Sequence, residues 1–426
     1  MPSRKLQHSR QYDLVLFGAT GYTGLYTAEC VAASLPTDLR WAIAGRSRDK
    51  LEKIATDLKA QNPDRSHPAL EVCILDDESL AALAKRTAIL MTTVGPYCLY
   101  GEHAFKSCAE NGTHYLDVTG EVPWVFQMIE KYEAAATSSG ALMFPQIGIE
   151  SAPSDLMAWS LASIIREKLG VQTQAVTLSI QIDAAPSGGT IDTVFNILDR
   201  FSLKELSRAL KPYALSPVPR PNRPRDPKPS LMRRLTGLVT VPGLGLLTTS
   251  FTGRTNVAIV ERTWGLLTTT PSRQSQAYGP NFSFREYMRA SSRLQGFAMH
   301  LAFALGGLIL VMTPGPLRRL ARRFLTQPGQ GKSREDGARE AIQLRAIADA
   351  DTTSEAAKQA YCEARFRGSM YHLTAIILAQ AALTILEDYD DLQLRGGIYT
   401  PACLGQPFIE RLNNQGFEFE TKIIES

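Results

Sequence analysis

Short apolar runs separated by longer amphipathic stretches dominate the first third of the chain. Six of these runs end in a turn, and they lie at 14–17, 41–44, 70–75, 88–94, 115–118 and 141–145. Continuous apolar strands joined by helices are typical of a parallel sheet that is buried on both faces. The pattern therefore predicts a Rossmann-type parallel-sheet nucleotide-binding domain over residues 12–150. Any ligand should lie beyond the carboxyl ends of its strands.

The pattern changes after residue 150. Val176–Ile182 alternates apolar and polar residues as a half-buried strand does, and Val257–Arg262 also reads as a strand. We expect a substrate or dimerisation α+β domain with a mixed or antiparallel sheet over 151–295, interrupted by a proline-rich extended loop at 212–229. A helical C-terminal part over 337–426 should pack back on the first domain. The predicted fold class is α/β.

One apolar segment needs a separate explanation. Phe297–Thr313 carries no Asp, Glu, Lys or Arg, and it is followed by two prolines and several arginines. It falls just short of the length of about 20 residues that crosses a bilayer comfortably. We therefore predict an apolar helix with a basic flank over 296–326. A buried core or dimer helix, a helix lying on a membrane surface, and a true span all remain open.

Composition narrows the class of protein. The length of 426 residues, with 44% hydrophobic and 21% charged residues, predicts a multidomain globular protein. The net charge of +4 is too small to indicate a nucleic-acid partner. The six cysteines lack metal-site spacing and read as free thiols, and six scattered histidines predict no metal site. Residues 1–11 lack an apolar signal region and are expected to be a disordered tail, which predicts a cytoplasmic protein.

The turn after the first strand carries the most specific chemistry. Glycines recur every third residue at Gly18, Gly21 and Gly24, between an apolar strand and a helix that starts near Tyr22. Such glycines permit a tight turn and let backbone N–H groups at the helix start approach a pyrophosphate. The spacing is a variant of the dinucleotide-binding fingerprint.

The end of the second strand indicates which dinucleotide is bound. NAD sites place an acidic residue there to bind the ribose hydroxyls, whereas this chain has Arg46 followed by Ser47. A cation at this position suits a 2′-phosphate, so NADPH is the predicted cofactor. With the ends of the third and fourth strands included, the candidate cofactor contacts are Gly18, Ala19, Thr20, Gly21, Tyr22, Thr23, Gly24, Arg46, Ser47, Asp76, Val94, Gly95 and Pro96.

These motifs resemble the saccharopine dehydrogenase-like oxidoreductases, and most closely their trans-acting enoyl reductase branch. The resemblance rests on the blocks Phe17–Gly24, Ala44–Ser47, Val94–Tyr97, Gly112–Asp117, Thr119–Glu121, Ser154–Asp155, Ser187–Thr190 and Gly396–Pro401. The chain departs from the family pattern at Gly148–Glu150, where a Gly-Phe-Asp type of turn is usual. The resemblance implies a nucleotide-binding domain, a mixed-sheet domain and hydride transfer with NADPH.

Three residues near the expected nicotinamide end are candidates for catalysis. Reduction of a conjugated C=C bond leaves an enolate, which needs a hydrogen-bond donor and a proton source. Tyr97 is the candidate donor, and Glu121 and Asp117 are candidates for orienting the cofactor ribose or for a proton relay. The structural alternatives are packing of the Tyr97 ring under its turn, and helix capping by the acidic residues.

Three functional classes remain open. The favoured one is an NADPH-dependent enoyl reductase for a hydrophobic polyketide or lipid-like intermediate, free or carrier-bound. The others are a saccharopine-type amino-acid dehydrogenase and a non-catalytic NADPH-binding protein of lipid surfaces. The resemblance also admits a polyketide synthase partner, a homodimer, and membrane or lipid-droplet association through the 297–313 segment. No nucleic-acid partner is expected.

Overall fold

The computed structural model describes residues 5–184, 188–221, 229–315, 317–318, 333–352 and 358–425. The strands are β1 Tyr12–Phe17, β2 Trp41–Gly45, β3 Ala69–Val72, β4 Thr87–Thr92, β5 His114–Asp117, β6 Leu142–Phe144, β7 Thr173–Asp183, β8 Val239–Val241, β9 Gly245–Thr249, β10 Ser283–Arg289, β11 Ala341–Ala350, β12 Lys358–Arg367, β13 Gly397–Ile398 and β14 Glu418–Glu425.

The helices are α1 Tyr22–Ser34, α2 Arg48–Gln61, α3 Asp77–Lys85, α4 Tyr97–Tyr100, α5 Glu102–Asn111, α6 Val122–Ser139, α7 Ala152–Leu169, α8 Gly188–Arg200, α9 Leu203–Ala209, α10 Leu231–Thr236, α11 Gly253–Thr269, α12 Arg293–Met312, α13 Arg334–Ala338, α14 Met370–Glu387 and α15 Gly405–Asn414, with short 3₁₀ helices at Pro271–Gln276 and Pro401–Leu404.

The first sheet has the Rossmann topology that the sequence predicts. Its order is β13-β6-β5-β4-β1-β2-β3, and all of its pairings are parallel. The period of two along β1 sends Leu14 and Leu16 into the core under α1, whereas Val15 and Phe17 join the core under α3 and α5. Both faces are therefore covered, which explains why these strands are continuously apolar.

The second sheet is mixed, as predicted, with the order β14-β12-β11-β7-β10-β9-β8. Only β10 and β7 pair in parallel, and the other neighbours are antiparallel. Helix α7 leads out of the first sheet and packs on β11, β12 and β14 of the second. One continuous apolar core therefore joins the two sheets.

The C-terminal part corrects the prediction of a helical segment, because it contributes β11, β12, β13 and β14 as well as helices. Strand β11 alternates buried Ile342 and Leu344 with half-buried Gln343 and Arg345, a period of two that favours a strand. Helix α14 packs on α1, and its middle is fully buried.

Helix α11 corrects the predicted strand over Val257–Arg262. The β-branched residues of that window favour a strand locally, but they lie within 17 helical residues of which ten are buried. Tertiary burial between the two sheets outweighs the local preference.

Two segments expected to lack packing are in fact packed. In the N-terminal tail, the amide of Leu6 donates to Leu386 O, and the Arg10 guanidinium donates to four carbonyls around the amino edge of the first sheet. In the proline-rich segment, Tyr213 and Leu215 are buried. Residues 1–4 and 222–228 lie outside the described residues.

Two helices are long and apolar enough to cross a membrane, and their surroundings differ. Helix α14 is 78% buried over its most apolar window, so it is a core helix. Helix α12 is 6% buried over the corresponding window. The alternative of a core helix for residues 297–313 is therefore wrong, whereas a dimer helix, a helix on a membrane surface and a span stay predictions. The predicted basic flank falls largely on Pro316 and 319–326, which lie outside the described residues.

Candidate active site

The strand order of the first sheet reverses between β1 and β4, and the turns after these strands touch. The amide of Thr93 donates to Phe17 O at 3.0 Å, and the Thr93 hydroxyl donates to Gly18 O at 3.2 Å. Ligands of open α/β sheets bind in the crevice at such a reversal. The predicted glycine loop and the Val94–Pro96 loop thus form its two sides.

The glycine loop is shaped by two positions at which a side chain does not fit. Gly18 has φ +97°, a conformation that favours glycine. A Cβ on Gly24 would lie 2.1 Å from Gly18 O, whereas one on Gly21 would lie 3.4 Å from the same oxygen. Gly18 and Gly24 are therefore required by the fold of the turn itself, whereas Gly21 leaves room above the turn.

The start of α1 is open to an anion. Its N-cap is Gly21, no side chain caps it, and its first turn carries no acidic residue. Helix N-termini with free N–H groups bind phosphate. Of the predicted contacts in this loop, Ala19 is buried, Thr20 is exposed, and Tyr22 and Thr23 are half-buried. The loop fits the pyrophosphate of a dinucleotide.

The end of β2 presents a cation that is free to bind a ligand. Arg46 is exposed and has no ion-pair partner in the part of the chain described here, whereas Arg48 pairs with Glu52 at 2.8 Å. Ser47 is the N-cap of α2, and its side chain makes no capping hydrogen bond. Arg46 and Ser47 together fit a 2′-phosphate.

The predicted cofactor contact at the end of β3 has a structural role. Asp76 is the N-cap of α3, and its Oδ1 accepts the Ser79 amide at 2.7 Å.

Glu121 holds the loop on the other side of the crevice. Its two carboxylate oxygens accept the amides of Tyr97 and Cys98 at 2.8 and 2.7 Å. The Glu121 side chain is 1% exposed, and desolvation raises its pKa, opposed by these hydrogen bonds. Glu121 therefore positions the Val94–Pro96 loop through the first turn of α4.

The polar side-chain atoms of Tyr97 and Asp117 also make hydrogen bonds within the protein. The Tyr97 hydroxyl donates to Thr92 O at 2.9 Å and accepts the Val118 amide at 3.3 Å. Asp117 accepts the amides of Thr119 and Gln146 at 2.9 Å each. Desolvation raises the pKa of Asp117 to about 7. The structure brings the three predicted catalytic residues together and buries them, with hydrogen bonds to the loops around the crevice, and their catalytic role stays a prediction.

A second polar cluster, which sequence reasoning missed, lies where α7 meets the second sheet. Glu286 of β10 accepts four side-chain hydrogen bonds, from Ser154 at 2.8 Å, Asn256 at 2.6 Å, Ser250 at 2.7 Å and Thr252 at 2.6 Å. We call these five residues the Glu286 cluster. Ser154 begins α7 just beyond the carboxyl end of β6, so the cluster faces the crevice side of the first sheet. No local motif marks Glu286, because its partners are distant in sequence.

Three buried polar atoms in this region make no hydrogen bond within the described chain. They are Gln146 Nε2, Ser151 Oγ and Asn256 Oδ1. Gln146 also has φ +68°, which is uncommon for a residue other than glycine. Buried polar atoms are normally paired, and strained residues concentrate at functional sites. The carboxyl end of β6 and the start of α7 therefore form the candidate substrate side of the crevice.

The topology, the uncapped start of α1 and the free cation after β2 define an NADP-dependent oxidoreductase with a Rossmann domain. The family profile described as "Saccharopine dehydrogenase NADP binding domain" matches residues 14–143. A trans-acting enoyl reductase of Mycobacterium tuberculosis is 31% identical over 425 residues, covering 96% of this chain and 97% of the relative. A saccharopine dehydrogenase-like oxidoreductase of Pongo abelii is 29% identical over 447 residues, covering 96% and 97%. The chain belongs to the saccharopine dehydrogenase-like oxidoreductase family.

Solved structures agree on the fold. Saccharopine dehydrogenase (L-Glu forming) of Saccharomyces cerevisiae is similar with a TM-score of 0.54 at 11% identity, covering 97% of this chain and 100% of that one. A homospermidine synthase of Legionella pneumophila in complex with NAD gives a TM-score of 0.52 at 10% identity, with coverage of 99% and 92%. The cofactor of this family domain is NADP(H), as the free Arg46 predicts.

Proposed function

We propose that the protein is an NADPH-dependent reductase of a C=C bond in a hydrophobic, polyketide or lipid-like acyl intermediate. The observation that carries this proposal is the 31% identity, over essentially the full length of both chains, to relatives named trans-acting enoyl reductase. The similarity covers the second sheet as well as the cofactor domain, and the second sheet carries Glu286 on β10.

The arginines of the second domain support an acyl substrate over saccharopine. A substrate with several carboxylates requires arginines that point at it. The two most buried arginines here bind main-chain carbonyls: Arg262 donates to Leu215 O, and Arg273 donates to Leu392 O. Arg262 also pairs with Glu133 at 2.8 Å. Both guanidinium groups therefore hold loops together, although Arg262 Nε and Arg273 Nη1 make no hydrogen bond within the described chain.

The residues of the crevice suit the demands of enoyl reduction. When bound, NADPH supplies the hydride. The Glu121 carboxylate fixes the loop opposite the glycine turn, and Glu286 fixes Asn256 and Ser154 at the other side. The unpaired polar atoms of Gln146, Ser151 and Asn256 are then the groups that can orient a thioester or enolate oxygen or an ordered water.

The test is turnover with purified protein, NADPH and α,β-unsaturated acyl thioesters of short and long chain, followed by the loss of reduced-nicotinamide absorbance. We expect reduction that is faster with the long chain, and transfer of deuterium from labelled NADPH to the β carbon. Oxidation of saccharopine with NADP⁺ and no enoyl reduction would establish the amino-acid dehydrogenase alternative. Tight NADPH binding without turnover of any thioester, free or carrier-bound, would support the non-catalytic alternative.

A matched pair of serine variants examines the substrate side. Ser151→Ala removes a hydroxyl that makes no hydrogen bond within the described chain, so the melting temperature should not change. If this hydroxyl contacts the substrate, kcat/KM should fall by about tenfold, the effect of losing one hydrogen bond of about 1.4 kcal/mol. Ser163→Ala, in the middle of the same helix, is the control and should leave turnover unchanged.

A further inference from the structure

Helix α12 exposes apolar side chains along almost its whole length. Gly296 is its one buried residue, and Leu294, Leu308, Ile309 and Met312 are each more than half exposed. From Leu294 to Met312 there is no Asp, Glu, Lys or Arg. At 1.5 Å per residue the helix is about 30 Å long. Exposed contiguous apolar surface of this size marks an interaction site.

The apolar residues surround the C-terminal half of the helix. At 100° per residue, Leu308, Ile309, Val311 and Met312 cover an arc of about 160° around the axis, and Phe303, which is 37% exposed, lies on the opposite side. A protein partner that receives an amphipathic helix covers one face of it. A helix that is apolar on all sides is suited to the interior of a large protein or to hydrocarbon.

Both ends of the helix are tied to the same body of the protein. Near its start, Thr248 donates to Gly296 O at 2.7 Å, and the Thr249 hydroxyl lies 2.7 Å from His300 Nδ1. Just beyond its end, Arg318 pairs with Asp199 of α8 at 2.9 Å. A segment whose two ends return to one body cannot cross a bilayer, so it can enter only one leaflet.

A second short helix extends the apolar surface and adds charge. Helix α10 contacts α12 and exposes Leu231, Met232 and Leu235 by 62–70%. Arg234 is exposed on the same short helix. Apolar helices with neighbouring cations bind membranes that contain anionic lipid.

We infer that α12 and α10 together form a monotopic docking surface for an anionic phospholipid membrane. The side chains of α12 enter the acyl region of one leaflet, and Arg234 lies among the headgroups. Phe303 of α12 contacts Phe251, and Phe251 lies between Ser250 and Thr252 of the Glu286 cluster. The membrane would therefore lie beside the candidate substrate side of the crevice. This inference does not depend on the reaction: membrane binding is measured without substrate.

The experiment is flotation of the purified full-length protein with vesicles of phosphatidylcholine alone or mixed with phosphatidylglycerol. We expect the protein to float with the mixed vesicles and less with the neutral ones. The double variant Leu308→Glu/Ile309→Glu should reduce the floated fraction at least tenfold, and Arg234→Ala should reduce the preference for anionic vesicles. Leu203→Glu on α9, also an exposed leucine (65%), is the matched control and should float as the parent does.

Unchanged circular dichroism and melting temperature will show that the double variant is folded, as expected for substitutions of exposed side chains. Two results would overturn the inference. One is a parent protein that stays at the bottom of the gradient with both vesicle types. The other is a stable dimer by light scattering that the double variant dissociates, which would make the surface an interface between two copies of this chain.

Discussion

Removal of the Arg46 guanidinium should abolish most of the preference for NADPH over NADH. The side chain follows β2, is exposed, and has no ion-pair partner in the described part of the chain. Its substitution by alanine therefore breaks no contact of the protein, so the fold and the melting temperature should be unchanged. The perturbation acts on the 2′-phosphate alone, which NADH lacks.

The size of the effect follows from the exposure of the site. A hydrogen bond to a charged group contributes about 1.5–3 kcal/mol, and solvent screening at an exposed site favours the lower end. A tenfold change in affinity corresponds to about 1.4 kcal/mol, so Arg46→Ala should weaken NADPH binding by about tenfold to thirtyfold. NADH affinity should change by less than about twofold. Ser47 can still donate to the phosphate, so a small preference for NADPH should remain.

The assay is titration of both reduced cofactors, followed by nicotinamide fluorescence or calorimetry at low and at high salt. The parent should lose NADPH affinity more steeply with salt than Arg46→Ala does, because it has one more charged contact. Lys59→Ala, at the far end of α2, removes the same charge as a control and should retain the preference. Equal affinity of the parent for both cofactors, or an equal loss of both in Arg46→Ala, would refute the 2′-phosphate assignment.

Three further predictions test the site and the core. Gly24→Ala places a Cβ 2.1 Å from Gly18 O, so it should lower the melting temperature and abolish NADPH binding. Gly21→Ala places its Cβ 3.4 Å from the same oxygen, so it should keep the fold and weaken NADPH binding alone. Equal melting temperatures for the two variants would contradict the packing of this turn. Tyr97→Phe leaves Thr92 O and the Val118 amide unpaired and should cost about 1–3 kcal/mol in urea unfolding with little change in kcat. A fall in kcat of more than about a hundredfold in a folded Tyr97→Phe protein would instead establish Tyr97 as a catalytic donor. Burial raises the pKa of Asp155 to about 7 against about 4 when unfolded, so its contribution to stability is full below about pH 4 and is lost as pH rises through 7. The stability of the parent relative to Asp155→Asn should therefore decline between about pH 4 and pH 7 and level off above, and a constant difference would rule out this titration.

The amino-acid sequence by itself determined the cofactor half of this protein. The apolar strands, the glycines at 18, 21 and 24, and the cation at 46 lie within one strand-helix-strand unit, where hydrogen bonding and backbone sterics act over short separations. The sequence also identified 297–313 as an apolar helix, because its composition does not depend on its neighbours.

Only the tertiary structure decided the other half. Glu286 accepts hydrogen bonds from Ser154, 132 residues away, and from Asn256, 30 residues away, so no local pattern marks the cluster. Burial between two sheets makes 253–269 a helix despite its β-branched residues. The fold likewise turns the Tyr97 hydroxyl onto Thr92 O, and it leaves α12 exposed while it buries the similarly apolar α14. Burial and long-range pairing are properties of the whole chain, because each depends on which distant segment supplies the contact.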